Sequence, residues 1–307
     1  MIFGDTHCDV IGCIADKNEG LYKNSCRFSL ELLEKYDGFI QFFACFISPR
    51  FYGAPKKRFY GLAEKYFSEL DKNRGRIWHC TCLEEAHRAL AKGGCAAFLT
   101  AESGEWIESA EDLEYAYSLG VRVIGLTWDG DNRLASGSAS PGSGGLTGFG
   151  REMVRKMNTL GIHIDVSHLN DRSFYDVCSL AERPLFATHS NSRAVCPSVR
   201  NLTDEQFRLI AESGGFVGIN MYNPFLKQEG RVGIEDVIRH IEHFLNLGGE
   251  NCIGFGADFD GMEDMPDGIE NAGDMCKIRE EMLKNEYNKR IVDKIAHKNL
   301  ERAIKFF

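Results

Sequence analysis

The sequence lacks both the long apolar runs of a membrane protein and the excess of basic residues typical of nucleic-acid binding. No segment approaches the roughly 18 consecutive apolar residues that span a bilayer. Its start shows no basic region followed by an apolar stretch, the pattern of a secretory signal. Lysine and arginine number 36 against 45 acidic residues, a net charge of -9, whereas phosphate backbones require a basic surface. We therefore expect neither a nucleic-acid nor a membrane partner.

The sequence also lacks a cysteine framework. Its eleven cysteines are an odd number at irregular spacings, and Cys45, Cys95 and Cys252 lie in apolar runs, where a free thiol acts as a small hydrophobic side chain. The stretch His79-Cys80-Thr81-Cys82 has no second cysteine pair, which argues against a structural zinc site there. A thiol-rich, metal-type composition without a secretory start predicts a cytoplasmic protein.

Short apolar runs alternate with longer amphipathic segments, and no internal repeat or linker interrupts them, so we expect one domain over residues 1–307. Each run is almost continuously apolar, as in parallel strands that are buried on both faces. The expected strands are Ile2–His7, Ile40–Phe46, Ala96–Glu102, Val121–Trp128, Ile162–His168, Leu185–His189, Phe216–Tyr222 and Cys252–Asp258.

The segments between these runs have the pattern of crossover helices. About eight strands alternating with helices predict an α/β fold of the (β/α)8 TIM-barrel type. A doubly wound sheet is the alternative, but it would not bring metal-type residues together from so many strands. The Gly- and Ser-rich stretch 129–150 is expected to be a loop over the barrel mouth. The expected helices are Lys57–Lys72, Gly150–Leu160, Thr203–Glu212 and Gly233–Leu247, with further helices in Asn288–Phe307 that close the barrel.

His7 and Asp9 end the first strand two residues apart, and side chains at that spacing share a face. Taken alone, the pair is explained as well by a strand-end hydrogen bond as by a metal site. Later strands end in the same chemistry, and active sites of such barrels lie at the carboxyl ends of the strands. The other strand-end residues are Glu102, His168, His189, Asp258 and Asp260.

This set suits two divalent metal ions. A carboxylate can bridge two cations, so Glu102 would join an ion held by His7 and Asp9 to an ion held by His168 and His189. Ions roughly 3.5–4 Å apart would share a water molecule and lower its pKa, giving hydroxide near neutral pH. Histidine and carboxylate ligands indicate zinc, with manganese or cobalt as alternatives.

The remaining histidines are expected to be structural. In the strand Ile162–His168, successive side chains point to opposite faces, so His163 and Asp165 are expected to point toward the helices and away from the face of His168. We therefore expect them to be hydrogen-bonded polar groups rather than metal ligands. The others, which lie in helical or linking segments, are His79, His87, His240, His243 and His297.

These residues resemble the membrane dipeptidase (renal dipeptidase, peptidase family M19) family of zinc peptidases, which are metallo-barrels of the amidohydrolase type. The matching motifs occur in the family's order along almost the whole chain. They are Asp5-Thr6-His7-Cys8-Asp9, Thr100-Ala101-Glu102-Ser103-Gly104, Gly161–His168, Thr188-His189-Ser190, Arg200-Asn201 and Gly254-Phe255-Gly256-Ala257-Asp258-Phe259-Asp260-Gly261.

The resemblance implies the same ligand set and a dipeptidase acting on free L,L and L,D dipeptides. It implies that Arg200 contacts the substrate carboxylate, which a guanidinium can hold through two hydrogen bonds. It also implies that Glu102 and Asp258 are catalytic, with Asp258 passing a proton from the water to the leaving amine. For Tyr222, at the expected end of the seventh strand, substrate contact and core packing are both open. A homodimer is a further implication.

The resemblance breaks at the end of the fourth strand. Mammalian members have a histidine there after Leu-Thr, whereas this chain has Leu126-Thr127-Trp128-Asp129. Either Trp128 or Asp129 then shapes a different substrate pocket, or the following loop supplies Asn132 or Arg133. The prediction is a zinc dipeptidase. The alternatives are a related enzyme acting on another amide, lactam or ester, and a barrel without catalysis.

Overall fold

Strands and helices alternate from Ile2 to Ile304. The computed structural model describes residues 1–140, 142 and 144–307, so Pro141 and Ser143 of the expected loop lie outside the described residues. The strands are β1 (Ile2–Cys8), β2 (Gly38–Cys45), β3 (Ile77–His79), β4 (Cys95–Ala101), β5 (Val123–Gly125), β6 (His163–Asp165), β7 (Phe186–Ala187), β8 (Phe216–Ile219) and β9 (Ile253–Phe255). The helices are α1 (Val10–Lys17), α2 (Pro55–Lys72), α3 (Leu83–Leu90), α4 (Ala110–Ser118), α5 (Gly148–Leu160), α6 (Asp171–Cys178), α7 (Asp204–Glu212), α8 (Asn223–Leu226), α9 (Ile234–Asn246), α10 (Cys276–Lys284), α11 (Lys289–Asp293) and α12 (Asn299–Ile304).

The strands form one parallel sheet that closes on itself. Its order is β2-β1-β9-β8-β7-β6-β5-β4, and β2 also pairs with β4. That closing pairing runs from Phe39 opposite Cys95 to Cys45 opposite Ala101. The prediction of a (β/α)8 barrel is therefore confirmed, and the open doubly wound sheet is excluded.

Strand β3 was not predicted. It pairs with Cys95–Ala97 at the start of β4, on the edge of β4 that further along pairs with β5. It therefore lies beside the closed ring rather than in it. His79, which was assigned to a linking or helical segment, is in this strand, and its Nδ1 lies 2.9 Å from the hydroxyl oxygen of Tyr66.

Alternate residues of the barrel strands face two hydrophobic clusters. Phe39 of β2 belongs to the layer between the barrel and its helices, whereas Phe42 belongs to the interior cluster. There the ring centroid of Phe42 lies 5.2 Å from that of Phe98 and 5.9 Å from that of Phe307. Because the rings of His163 and Phe186, at the amino ends of β6 and β7, also contact Phe307, the last residues close that end of the barrel. The active-site end is left open.

The predicted helices lie where they were expected, as α2, α5, α7 and α9. The start of α7 carries the expected capping box, in which side chains satisfy the free amides of the first turn. The Thr203 amide donates to Gln206 Oε1 (2.8 Å), and the Gln206 amide donates to Thr203 Oγ1 (3.2 Å). Among the described residues, no helix has the length and apolar character needed to cross a bilayer.

One cysteine pair differs from the expectation of free thiols. Cys13 in α1 forms a disulfide with Cys26 in the following loop, which irregular spacing did not reveal. Cys45, Cys95 and Cys252 are free and buried, as predicted. Disulfides are rare in cytosolic proteins. The cytoplasmic location stays a prediction.

Candidate active site

His7 and Asp9 meet through an irregularity in β1. The register between β1 and β2 shifts between Asp5 and Cys8, which places three residues of β1 against two of β2. Such a bulge bends the strand and redirects its side chains. As a result, His7 Nε2 lies 3.4 Å from Asp9 Oδ2. The structure thus brings the pair together, although not by the regular strand alternation that was assumed.

Glu102 follows β4 and lies between the first pair and two further histidines. Its Oε2 is 3.5 Å from His7 Nε2, and its Oε1 is 3.0 Å from His168 Nε2. His168 Nε2 in turn lies 2.9 Å from His189 Nε2. The two oxygens of one carboxylate therefore face two different histidine groups, an arrangement suited to bridging two cations.

Polar neighbours hold the other ring nitrogen of each of these two histidines. His168 Nδ1 is 2.9 Å from Asp129 Oδ1. His189 Nδ1 is 2.8 Å from the Thr188 hydroxyl, which donates to Asp165 and therefore accepts from Nδ1–H. A proton on Nδ1 leaves the Nε2 lone pair free for a metal ion.

Three buried polar atoms at this centre have no hydrogen-bond partner among the described residues. They are His7 Nε2, Asp9 Oδ1 and Glu102 Oε2, and these residues are at most 5% exposed. Leaving such atoms unpaired costs about 1–3 kcal/mol each. Ligand atoms of His7, Glu102 and His189 lie within 4.8 Å of one another, as do those of His7, Asp9 and Asp258. Either group fits a divalent metal ion, which would satisfy the unpaired atoms. His7 belongs to both groups, so one ring nitrogen cannot serve an ion in each of them at the same time.

The carboxylates of the centre lie close together and are buried away from water, and both conditions shift their pKa values. Burial raises the pKa of Asp9 to about 8, and the neighbouring charge of Glu102 adds to the rise. Burial also raises the pKa of Asp258. Burial acts on Glu102 in the same direction, but hydrogen bonds with two histidines outweigh it and hold its pKa below the usual value. Burial, together with neighbouring cations, lowers the pKa of His189 well below its usual value. A cation would relieve the repulsion between the carboxylates.

Asp258 follows β9 in a left-handed backbone conformation, with φ of 64°. Its Oδ1 lies 3.8 Å from His7 Nε2, and its Oδ2 accepts a 2.9 Å hydrogen bond from Asn220 Nδ2. Gly261 makes this turn possible, because a Cβ there would approach both Asp258 Oδ1 and Asp9 Oδ2 to 2.4 Å. Asp260 turns away from the centre and accepts the backbone amides of residues 27 and 28.

Arg200 lies next to the centre but beneath its surface. It is only 5% exposed. Its Nη1 donates to Ser190 Oγ (3.0 Å), its Nη2 donates to the His189 carbonyl (3.1 Å), and its Nε lies 3.2 Å from His168 Nδ1. Burial lowers its pKa, although nearby carboxylates act in the opposite direction. A guanidinium has five donor hydrogens, so this arrangement leaves donors for a further acceptor.

A cavity of about 300 Å³ opens above the predicted metal ligands. Trp128 and Tyr222, both predicted to contact substrate, line it, whereas Arg200 is not part of its wall. The centroid of the Trp128 ring is 6.4 Å from that of His168. The lining residues are Asp9, Phe46, Glu102, Trp128, Asp129, His168, Tyr222, Phe225, Asp258, Gly261, Met262, Glu263 and Asp264.

The alternative that Asn132 or Arg133 enters the site is wrong. Asn132 donates to the Leu126 carbonyl (2.7 Å) and accepts the Leu134 amide (2.8 Å), so it shapes its own loop. The Arg133 guanidinium lies 4.9 Å from the ring centroid of Phe149. Of the open alternatives, Trp128 and Asp129 are the residues that reach the cavity.

His163 and Asp165 are satisfied polar groups, as predicted, but their expected direction was wrong. His163 Nδ1 lies 2.8 Å from the Pro184 carbonyl, and its ring packs in the barrel interior against Phe186. Asp165 accepts the Thr188 amide at 3.0 Å and the Thr188 hydroxyl. The sequence did not identify Asp165 as a support for the ring of His189. The two side chains are linked only through the hydroxyl of Thr188, which lies far from Asp165 in the sequence.

Asn220 was also missed. The seventh barrel strand ends at Ile219, whereas the apolar run suggested an end at Tyr222. The correct end would have drawn attention to Asn220, a polar residue directly after the strand whose side chain is fully buried.

Comparison with known proteins agrees with this geometry. The family model of the membrane dipeptidases (peptidase family M19) matches residues 2–306. The chain is 38% identical over 213 residues to an uncharacterized protein from the pqqA 5' region of Klebsiella pneumoniae, covering 66% of this chain and 78% of that protein. It is 32% identical over 211 residues to an uncharacterized dipeptidase of Schizosaccharomyces pombe, covering 65% of this chain but only about half, 51%, of that protein.

Solved structures show the same likeness over the full chain. A metallo peptidase from Rhodobacter sphaeroides, liganded with a phosphinate mimic of the dipeptide L-Ala-D-Ala, superposes with a TM-score of 0.90 at 28% identity, covering 99% of each chain. The dipeptidase AC, a metallo peptidase of family M19, superposes with a TM-score of 0.91 at 28% identity, covering 99% of this chain and 98% of that one. The probable dipeptidase PvdM of Pseudomonas aeruginosa, 17% identical with a TM-score of 0.90 and covering 99% and 95%, shares the fold.

Proposed function

The chain belongs to the membrane dipeptidase family, peptidase family M19, and from this premise we propose that it hydrolyses free L,L and L,D dipeptides with two zinc ions. Membership makes it a metal-dependent hydrolase of peptide bonds. The observation that carries the proposal is the position of Glu102, whose two carboxylate oxygens face His7 on one side and His168 on the other. The L-Ala-D-Ala mimic bound to the Rhodobacter sphaeroides peptidase supports the L,D part.

We assign His7 and Asp9 to one zinc ion, His168 and His189 to the other, and Glu102 to both. Two ions held by these residues would lower the pKa of a shared water and would polarise the scissile carbonyl. The protein prepares the ligands: Asp129 and the Thr188 hydroxyl hold protons on the Nδ1 atoms, so the Nε2 atoms face the centre as lone pairs. Manganese or cobalt would suit the same ligands.

We assign the proton transfer of this reaction to Asp258. Its Oδ1 points toward His7 Nε2 at 3.8 Å, while Asn220 holds Oδ2 and so fixes the plane of the carboxyl group. Burial raises its pKa, which favours a group that first accepts a proton and then returns it to the leaving amine nitrogen.

Arg200 is assigned to the substrate carboxylate. Its guanidinium is held by Ser190 and by the His189 carbonyl, so it is oriented before substrate arrives and loses little freedom on binding. Replacing Arg200 with Ala should raise KM for dipeptides with a free carboxylate and leave the kinetics of their amidated analogues almost unchanged. Equal losses on both substrates would contradict the assignment. Thermal unfolding and metal content of the variant control for its lost hydrogen bonds.

The decisive experiment is hydrolysis of L-Ala-L-Ala and L-Ala-D-Ala by the zinc-loaded protein. A tripeptide and an N-blocked dipeptide serve as substrate controls, and a Glu102→Ala variant prepared in parallel controls for contaminating peptidases. Cleavage confined to free dipeptides is expected. No cleavage with two ions bound would refute the dipeptidase proposal.

A second candidate function rests on Trp128, which lines the cavity at the position where mammalian relatives have a histidine. Under this alternative the enzyme acts on another amide, a lactam or an ester. If zinc-loaded protein leaves all dipeptides intact, a panel of these compounds tests it. A homodimer, the remaining implication of the family, is a separate proposal that sedimentation equilibrium tests.

A further inference from the structure

The wall of the active-site cavity outside the metal ligands combines aromatic rings with carboxylates. Phe46 and Trp128 form one ring pair, with centroids 5.5 Å apart, and Tyr222 and Phe225 form another, 4.9 Å apart. All four residues line the cavity. Such rings offer apolar surface to an alkyl chain and an electron-rich face to a cation. The Arg200 guanidinium already lies 5.6 Å from the centroid of the Phe225 ring, so Phe46, Trp128 and Tyr222 are the rings left for a substrate side chain.

Three carboxylates, those of Asp129, Glu263 and Asp264, also line the cavity, and no lysine or arginine is part of its described wall. Glu263 and Asp264 are exposed, and neither forms a salt bridge within the described residues. The Asp129 carboxylate faces His168 and remains 37% exposed. His168 and the nearby Arg200 partly balance the charge of Asp129. The Arg27 guanidinium donates to the backbone carbonyl of Glu263, so the side-chain carboxylates of Glu263 and Asp264 remain as negative charge at the mouth without a salt bridge among the described residues.

The metal ions would not neutralise the carboxylates of Asp129, Glu263 and Asp264. In the function proposed above, the charge of two zinc ions is balanced by Asp9, Glu102, Asp258 and one hydroxide. The unpaired buried oxygens of Asp9 and Glu102 at the floor of this cavity are assigned to the metal ions and are not available to a substrate cation. Arg200, the remaining nearby cation, is assigned to the substrate carboxylate. The carboxylates at the mouth are left to act on the rest of the substrate.

We propose that this cavity selects dipeptides with a cationic side chain, such as lysine, ornithine or arginine. The alkyl stem of the side chain packs on the aromatic rings while its cationic end lies among Asp129, Glu263 and Asp264. This inference rests on the proposed dipeptidase function and names its substrate class. Low-dielectric walls around charges of one sign concentrate ligands of the opposite sign.

The test compares Lys-Ala and Ala-Lys with Nle-Ala and Ala-Nle, because norleucine keeps the alkyl chain and lacks the amine. In zinc-loaded protein at low ionic strength, kcat/KM for the better lysine substrate should exceed that of its norleucine partner about tenfold, as expected for a few partly exposed ion pairs. The ratio should fall as salt is added, because screening weakens exposed charges. A ratio near one at low salt would overturn the proposal.

Charge removal gives the second measurement. The double variant Glu263→Gln/Asp264→Asn should lower the lysine-to-norleucine ratio at least threefold. The control Glu270→Gln removes an exposed carboxylate of the same segment that does not line the cavity and should keep the wild-type ratio. An unchanged ratio in the double variant would overturn the role of these residues.

The two proposals fail in different ways. Cleavage of norleucine dipeptides without a lysine preference would retain the dipeptidase function and reject the substrate class. If no dipeptide is cleaved, calorimetric binding of Lys-Ala and Nle-Ala to the zinc-loaded protein still tests the cavity. Equal affinity for both would reject the cationic preference.

Discussion

Replacing Asp129 with Ala tests whether this residue supports metal binding through His168. Asp129 Oδ1 lies 2.9 Å from His168 Nδ1, and Arg200 Nε lies 3.2 Å from the same nitrogen. Nδ1 can donate to Asp129 or accept from Arg200, but not both. A metal ion on Nε2 requires a proton on Nδ1, so metal binding selects the hydrogen bond to Asp129. Without the carboxylate, the alternative partner Arg200 competes against the metal-binding tautomer.

The expected size of the effect follows from the geometry. Loss of a carboxylate that orients a metal-bound histidine typically costs 10–100-fold in metal affinity. The Asp129 side chain is 37% exposed, so water can partly replace it, and we expect the lower end of the range. That is about tenfold in Kd, or ~1.4 kcal/mol, for the ion assigned to His168 and His189.

Zinc affinity can be measured by competition with a chelator, followed by metal analysis. Asp129→Asn keeps an acceptor oxygen and should restore part of the affinity. Asp131→Ala is the matched control, because Asp131 is an exposed aspartate of the same loop that does not line the cavity. Wild-type zinc affinity in Asp129→Ala, with metal-free stability unchanged, would refute the reasoning.

Three further predictions concern the bridge, pH stability and a helix cap. Glu102→Ala should lose tight binding of both ions while the barrel stays folded; wild-type zinc stoichiometry by metal analysis would contradict a bridging role. Burial lowers the pKa of His240 from 6.5 to about 4, so the folded state disfavours its charged form. The free energy of unfolding should therefore fall by about 3 kcal/mol between pH 6.5 and pH 4 on account of this residue, and urea unfolding of His240→Gln should show a correspondingly weaker pH dependence. Thr203→Ala removes one half of the capping box and should cost about 1 kcal/mol of unfolding free energy, measured by urea denaturation at pH 7; no change would mean that α7 does not depend on this cap.

The barrel and most of its candidate ligands were accessible from sequence, because buried parallel strands read as apolar runs and their carboxyl ends share one rim. Strand lengths were overestimated: Val121–Trp128 was expected where pairing covers only Val123–Gly125. Apolar character reports burial and not backbone pairing. Strand β3 was missed because three residues between polar neighbours carry almost no periodicity.

Features that depend on contacts between distant segments were not accessible. The support of His168 by Asp129 spans 39 residues, and the bond from Asn220 to Asp258 spans 38. The disulfide of Cys13 and Cys26 depends on how one loop folds back on α1. Nothing in the local pattern of these residues distinguishes them from solvent-facing polar groups or free thiols.

The junction between β1 and β9 has a consequence for how the protein is made. The Asp258 amide donates to the His7 carbonyl (3.1 Å), and the Asp9 amide donates to the Phe259 carbonyl (2.8 Å). The first ligands to leave the ribosome are thus anchored by backbone that is synthesised about 250 residues later. At typical rates of about 5–20 residues per second, His7 and Asp9 wait roughly 10–50 s for their partners. If these residues bind the metal ions, as proposed, we expect metal loading to follow closure of the barrel, and a nascent chain that stops before β9 to lack the complete site.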